Sequence, residues 1–286
     1  MSVEIRPIEN HDEYRAIEQL QREIWGAADV EIIPHDLLLT AHKNGGVLLG
    51  AFDTASVAGK DRPIGFVFGF VGLRPDGRLK HCSHIAGVVS AYRDRDVGYA
   101  LKLAQRQRVL AQGIDLITWT FDPLESRNAY FNFHKLGATC HTYLRNLYGE
   151  MRDHLNAGLP TDRLQVDWPI ASPRVEARLR GEVSALTPSV LRAEGVSLLN
   201  APPSGDPLRP PGQVLPLEGD LVLAQVPADF QALKANDLGL ARVWRQHTRA
   251  LFEAAFAQGY VVTDLLVEKG QSYYLLARCP SEDLTG

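Results

Sequence analysis

The sequence predicts an α+β protein: a mixed, mostly antiparallel sheet flanked by helices, followed by a smaller C-terminal α+β unit. Three observations lead there. Over the first 150 residues, short apolar strands alternate with amphipathic helical stretches, the pattern of helices packed around one sheet. Residues 201 to 216 hold six prolines, too many for a helix or a central strand, and mark an irregular connection. Beyond it a strand, a long amphipathic helix and a hairpin follow in order. At 286 residues the chain is comfortable for two domains. The expected division is a domain over 1–150, a connecting region over 151–219 and a strand–helix–hairpin unit over 220–286, a degenerate half-copy of the first domain.

Val3 to Ile8 alternates apolar and polar, as a half-buried strand does. Asn10 with Glu13 three residues on forms a capping box for a helix that buries Ile17, Leu20 and Ile24 and stops near Trp25-Gly26. A second short helix runs from His35 to Lys43 and ends at Gly45-Gly46. Val47–Asp53 and Ile64–Leu73 read as an antiparallel pair. Arg74-Pro75-Asp76-Gly77 is a turn, with Pro presetting φ and Gly taking the awkward angle. His81 to Val89 is the next strand. A helix from Val97 to Gln112 carries Ala100, Leu101, Ala104 and Ala111 inward and Lys102, Arg106 and Arg108 outward.

Asp115–Phe121 is an apolar strand that Asp122-Pro123 breaks. A helix with Ser126 as N-cap follows, then a strand from Ala138 to Tyr148. Arg163–Ile170 reads as a strand and Pro173–Arg180 as a short helix. After the proline-rich stretch come Leu221–Val226, a helix using Leu240, Val243, Trp244, Leu251, Phe252 and Phe256, and a hairpin pairing Val261–Val267 with Tyr273–Ala277 across Gly270.

Composition narrows the function classes. The chain is 45% hydrophobic and 22% charged, with a formal charge of -4. That balance gives no electrostatic footprint for nucleic acid or an acidic membrane surface. No apolar run approaches the roughly 20 residues that span a bilayer, and Met1-Ser2-Val3-Glu4-Ile5-Arg6 is no signal peptide. Cys82, Cys140 and Cys279 have no metal-ligand spacing and cannot all pair, so a reducing cytoplasm is the expected compartment and no metal is expected.

One stretch organises the rest: Val88-Val89-Ser90-Ala91-Tyr92-Arg93-Asp94-Arg95-Asp96-Val97-Gly98-Tyr99-Ala100-Leu101-Lys102. A strand hands over through a charged turn to a helix N-terminus, whose first N–H groups lack intrahelical partners and accept an anion. Arg93 and Arg95 beside the turn can pair with phosphate. The stretch resembles the acyl-CoA loop of the GNAT superfamily of N-acetyltransferases. Two registers are open. Arg95-Asp96-Val97-Gly98-Tyr99-Ala100 fits the bare loop pattern, whereas Val88, Tyr92, Arg93, Gly98 and Leu101 fit the wider one, with Asp96 at the loop's first glycine. A second segment, Ser126-Arg127-Asn128-Ala129-Tyr130-Phe131-Asn132-Phe133-His134-Lys135-Leu136-Gly137-Ala138, resembles the family's next helix. Ser126 stands there in place of the usual Asn, and Phe133 in place of the Tyr that protonates the departing thiolate.

The resemblance implies acyl transfer from acetyl-CoA or another acyl-CoA, acetyl or succinyl, to a small-molecule amine, with an amino acid favoured as acceptor. The strand ending at Val88 and Val89 would splay from its parallel neighbour and hold the pantetheine arm by backbone bonds. Val88, Val89, Arg93, Asp94, Arg95, Asp96, Val97, Gly98, Tyr99, Ser126 and Asn128 would contact the donor. The connection from Gly26 to Pro34, walled by Trp25 and Ile33, would line the acceptor pocket. His84, four residues before Val88 and so on the same strand face, is the candidate base; His81 falls on the opposite face. Tyr143 and Tyr130 are the candidate acids. Asn128 and Asn132, four apart, share a helix face. Arg145 or Arg127 would serve a carboxylate. The opposing reading is a non-catalytic acyl-CoA-binding module, favoured by Asp96 and Phe133. The C-terminal unit would pack, close the acceptor pocket or form a homodimer.

Overall fold

The structure is a computed structural model that describes residues 3–26, 32–55, 62–151, 153, 156–182, 186–203 and 208–278. Residues 27–31 of the expected pocket connection, 56–61 of the loop that follows Asp53, Pro207 and Cys279 lie outside the described residues. The chain divides into two compact units, Met1–Trp119 and Thr120–Gly286. The second motif, from Ser126 onward, belongs to the later unit.

In the first unit the sheet order is β1 (Val3–Pro7), β2 (Val47–Asp53), β3 (Pro63–Leu73), β4 (Leu79–Val88) and β5 (Leu116–Phe121). The pairs from β1 to β4 are antiparallel, and β4 runs parallel to β5. Every residue of β2 is buried, which its unbroken apolar sequence requires. Helix α1 (His11–Trp25) opens on Asn10, whose Oδ1 accepts from the Glu13 N–H at 3.0 Å. The Glu13 carboxylate reaches back to the Glu9 N–H at 2.8 Å and holds Arg6, so the expected box closes one residue early. Gly26 ends the helix in the left-handed region, at φ 61. The Arg74–Gly77 turn closes with the Gly77 N–H on the Arg74 carbonyl at 3.0 Å. Helix α2 spans His35–Lys43 and α3 Val97–Ala111.

The inner stripe of α3 differs from the expected one. Val97, Leu101, Lys102, Gln105 and Val109 are buried, while Ala111 is exposed. A spacing of four from 97 to 109 keeps that stripe on the sheet. Lys102 joins it because Ser83 of β4 offers its side chain a hydroxyl and Gln105 of the same helix an amide oxygen.

In the second unit the strand order is β7 (Arg163–Pro169), β6 (Thr139–Leu144), β10 (Tyr260–Glu268), β11 (Gln271–Arg278), β9 (Leu221–Val226) and β8 (Ser197–Leu198). The β10–β11 hairpin turns on Lys269 and Gly270, both at positive φ, as a two-residue turn with the strands' own twist demands. Helices α5 (Pro173–Leu179) and α6 (Pro188–Ala193) start on Ser172 and Thr187 caps with Pro in the first turn. The expected long helix is α8 (Leu238–Ala257), capped by the Asp237 carboxylate, and a short helix α7 (Phe230–Asn236) precedes it. The stretch 201–216 carries no strand or helix among its described residues.

The second motif begins as α4 (Ser126–Ala129) and widens into a π-helical turn over Tyr130–Lys135. Two expectations change here. Ser126 is not the N-cap; Glu125 takes that position, and the Ser126 hydroxyl donates to the Ala228 carbonyl at 2.6 Å. Asn128 and Asn132 do not share a face: Asn128 is exposed and Asn132 buried. The wider turn breaks the four-residue repeat that the spacing assumed.

Candidate functional site

The first unit builds its candidate site at the junction of β4 and α3. A one-turn 3-10 segment, Ser90–Tyr92, leaves the strand. The Tyr92 hydroxyl then ties the turn to β2, donating to Asp53 Oδ2 at 2.6 Å and holding that carboxyl below its ordinary range. Arg93, Asp94, Arg95 and Asp96 are all exposed. Arg93 Nε donates to the Val88 carbonyl at 3.4 Å, and the Arg95 guanidinium lies 5.4 Å from the Tyr92 ring centroid. Asp94 and Asp96 both hold positive φ, 62 and 54. Glycine takes such angles freely, and Asp is among the few other residues that visit them routinely.

Asp96 is the N-cap of α3, and its side chain makes no capping bond to the helix. The N-terminus of a 15-residue helix, the positive end of its dipole, stands at this turn. Val97 anchors the helix start, at 3% exposure. A Cβ on Gly98 would meet nothing closer than Val88 Cγ2 at 3.9 Å, so the protein's own packing does not require glycine there.

The strand beside the turn is open along part of its length. Residues β4 and β5 pair at His81↔Ile117 and Cys82↔Thr118, and no further pairing joins the described residues of the two strands. From Ser83 onward β4 keeps its β3 partners and parts from β5. Trp25 stands against this section: a Cβ on Gly87 would fall 2.6 Å from the indole, so only glycine lets the ring lie on the strand. The Trp25 ring meets Phe66 edge-on at 5.9 Å. Ile33 is buried, with its N–H and carbonyl both held by the Gln21 side chain.

His84 does not share a face with Val88. The β3–β4 register runs Phe68↔Ile85 and then Gly69↔Ser83, so His84 is the extra residue of a bulge. The bulge flips the alternation. His84 lies against Phe68 and Phe70, at 6.4 and 6.0 Å between ring centroids, whereas Val88 points toward Gly98. Its ring is solvent-exposed on one side, yet desolvation by the phenylalanines holds its pKa below the ordinary value, so it is neutral at neutral pH.

Behind the bulge lies a group that the sequence pattern placed outside. Lys102 is 5% exposed. Its Nζ donates to Ser83 Oγ at 2.8 Å and Gln105 Oε1 at 3.2 Å, and sits 4.0 Å from the Trp119 ring centroid. Burial lowers its pKa to about 7. Burial, then Lys102, lowers His81 to about 4. Neutral His81 meets the Gln105 amide through Nε2 at 3.2 Å. A Lys at the first-turn spacing of Leu101 gave no sign of this; the polar Ser83 and Gln105 that receive it were the available signal.

The remaining candidates belong to the second unit. Tyr143 donates to Asp162 Oδ2 at 2.7 Å and stacks on Phe252, and burial together with the Asp162 charge raises its pKa. Tyr130 stacks on His134 at 4.5 Å. Phe133 is fully buried between Phe121 and Tyr274. Arg145 is bound to Glu253, and Arg127 is exposed. This unit also holds a polar cluster that sequence reasoning missed. Arg245 is bidentate to Asp122, Arg163 lies 3.7 Å from Asp122, and Arg249 is bidentate to Asp162.

Four antiparallel strands, a parallel neighbour that parts after two pairs, and a turn delivering β4 to α3 decide the architecture. It is the arrangement that the resemblance of the two motifs implied. Among solved structures, the chain is similar to a NatC complex bound to Gag peptide and CoA, at 16% identity over 59% of this chain and 99% of that one, with a TM-score of 0.48. It is also similar to a putative GNAT-family acetyltransferase from Desulfovibrio desulfuricans, at 15% identity over 59% of this chain and 100% of that one, TM-score 0.46. A third is aminoglycoside 6'-acetyltransferase type Ii, at 17% identity over 60% and 99%, TM-score 0.45. No protein-family model and no curated protein matches the chain. Among the described residues no helix is long and apolar enough to cross a membrane.

Proposed function

We propose that the protein is an acyl-CoA-dependent N-acyltransferase that moves an acetyl or succinyl group to a small-molecule amine, with an amino acid as the favoured acceptor. One observation carries this reading: a helix N-terminus with exposed arginines stands at the end of a strand whose neighbour has parted from it. The turn offers N–H donors and guanidinium groups to a pyrophosphate. The open β4 edge offers ladder hydrogen bonds to an extended pantetheine arm. The room at Gly98 lets the donor approach the first turn of α3.

Backbone N–H groups at the bulge would polarise the thioester carbonyl. Neutral His84, on the face opposite Val88 and beside Phe68 and Phe70, is suited to accept a proton from an incoming ammonium. The test is incubation of the full chain with acetyl-CoA or succinyl-CoA and a panel of amines that includes amino acids, following thiol release and product mass. An acylated amine is expected. Tight donor binding without product would point to a non-catalytic acyl-CoA-binding module, the role that acidic Asp94 and Asp96 would suit. Absence of donor binding would defeat both.

A further inference from the structure

The structure assigns a second catalytic group to this site: Lys102 is the proton donor to the coenzyme A thiolate as it leaves. The assignment rests on the acyl-transfer reading above and names a residue that neither motif contains as a catalytic group.

Position is the first argument. The last paired residues of the parallel strands are Cys82 and Thr118. The next residue on each strand is Ser83 and Trp119, and these are what Lys102 Nζ touches, at 2.8 Å to the hydroxyl and 4.0 Å to the ring centroid. The ammonium therefore sits in the crotch where the strands part. From Ser83 to Val88 the open edge is six residues long, about 20 Å at the usual rise per residue. An extended arm whose phosphates rest on the turn at 93–98 and which follows this edge delivers its terminal sulfur to that crotch.

Charge is the second argument. From β4, Lys102 faces Ser83 and His81; from β5, Trp119; on its own helix, Gln105. Among the described residues no carboxylate pairs with it. Gln105 Nε2 donating to His81 Nε2 places the imidazole proton on Nδ1, which is buried without a partner. A Met or Leu would fill the same volume without the desolvation cost of an ammonium. Keeping a lysine there makes sense if an anion forms beside it, and a thiolate at the fork is such an anion.

The step balances. The acceptor nitrogen attacks the thioester carbonyl carbon, a C–N bond forms, and the C–S bond breaks with its electron pair going to sulfur. The Lys102 ammonium passes one proton to that sulfur, leaving the free thiol and a neutral amine. The acceptor nitrogen sheds its proton to His84, which returns it to solvent, and Lys102 regains one from solvent before the next turnover. A proton affinity near neutrality suits a group that gives up and regains a proton each cycle. Phe133, at the motif position where the resemblance puts a tyrosine, has no proton to give.

The test uses full-length Lys102→Met and Lys102→Arg, each checked for native circular dichroism, with acetyl-CoA and an amine from the panel. Lys102→Met is expected to lose about 100-fold in kcat, the lower end for a general acid, while KM for acetyl-CoA stays within about threefold. The wild type's alkaline limb above about pH 7 should vanish with it. Lys102→Arg keeps the charge, cannot release a proton near neutrality, and should be equally slow. Unchanged kcat and pH profile in Lys102→Met, or full rescue by arginine, would overturn the assignment while acyl transfer stands. A wild type that neither binds CoA nor turns over any amine would take both readings down.

Discussion

Lys102 in the first unit and Arg245 in the second are both cations withdrawn from water, at 5% and 2% exposure. Their surroundings are opposite. Arg245 meets Asp122 through two hydrogen bonds, and nearby Asp162 holds Arg249, Tyr143 and the Asn146 N–H at once. Burial alone would raise the Asp162 carboxyl, but those partners hold it below its ordinary range. Lys102 has a hydroxyl, an amide oxygen and an aromatic face, and answers burial by losing proton affinity. The second unit sets Arg245 and Arg163 against Asp122 and Arg249 against Asp162; the first leaves one buried cation with no carboxylate among the described residues, beside an open strand. That difference separates charge used for structure from charge held ready for a ligand.

The sharpest way to break this contrast is Asp122→Ala. Removing one partner of a buried ion pair strands the other, so unfolding free energy should fall by about 3–5 kcal/mol in a denaturant titration. A loss under about 1 kcal/mol would mean that the pair is no more structural than a surface bridge.

Lys102→Met should do the reverse. The unfolded chain keeps this proton to about 10.5 and the folded chain only to about 7. Between those values the unfolded state binds more protons, so wild-type stability rises with pH. Without the amine that slope disappears. The variant should exceed the wild type at neutral pH, and the gap should narrow by ~2–3 kcal/mol over two pH units toward the alkaline end. Parallel curves in denaturant titrations at the two pH values would show that Lys102 is not desolvated.

Arg93→Ala tests the turn. Calorimetry should show donor affinity weakened by about 1.5–3 kcal/mol, the size of a charge-assisted contact, with thermal stability unmoved because Arg93 is exposed. Gly98→Ala is the smallest and most discriminating change. The nearest protein atom is 3.9 Å away, so the helix should gain about 0.5 kcal/mol while acetyl-CoA binding falls. A stability loss instead would assign the glycine to packing.

Much of this fold could be read from local chemistry. The Asn10 cap, the Gly26 stop, the Arg74–Gly77 turn and the Lys269–Gly270 hairpin each follow from what a few adjacent residues can do. The misread features depend on distant partners. His84 became a bulge because of how β3 aligns with β4, and one inserted residue turns every side chain beyond it to the other face. The π-helical turn at Tyr130–Lys135 altered a spacing that looked like four residues on an α-helix. Lys102 was assigned to solvent because lysine usually belongs there; Ser83 and Gln105, 19 residues before it and three after, bring it inward. The charged cluster around Asp122 and Asp162 joins residues more than 80 positions apart and has no local signature.

Calorimetric titration of acetyl-CoA into the full-length protein tests the functional reading most directly, because acyl transfer requires binding at the 93–98 turn and along the open edge of β4. One equivalent should bind saturably, and free CoA should compete for it. An absence of heat at any donor concentration, with no displacement by CoA, would contradict the account.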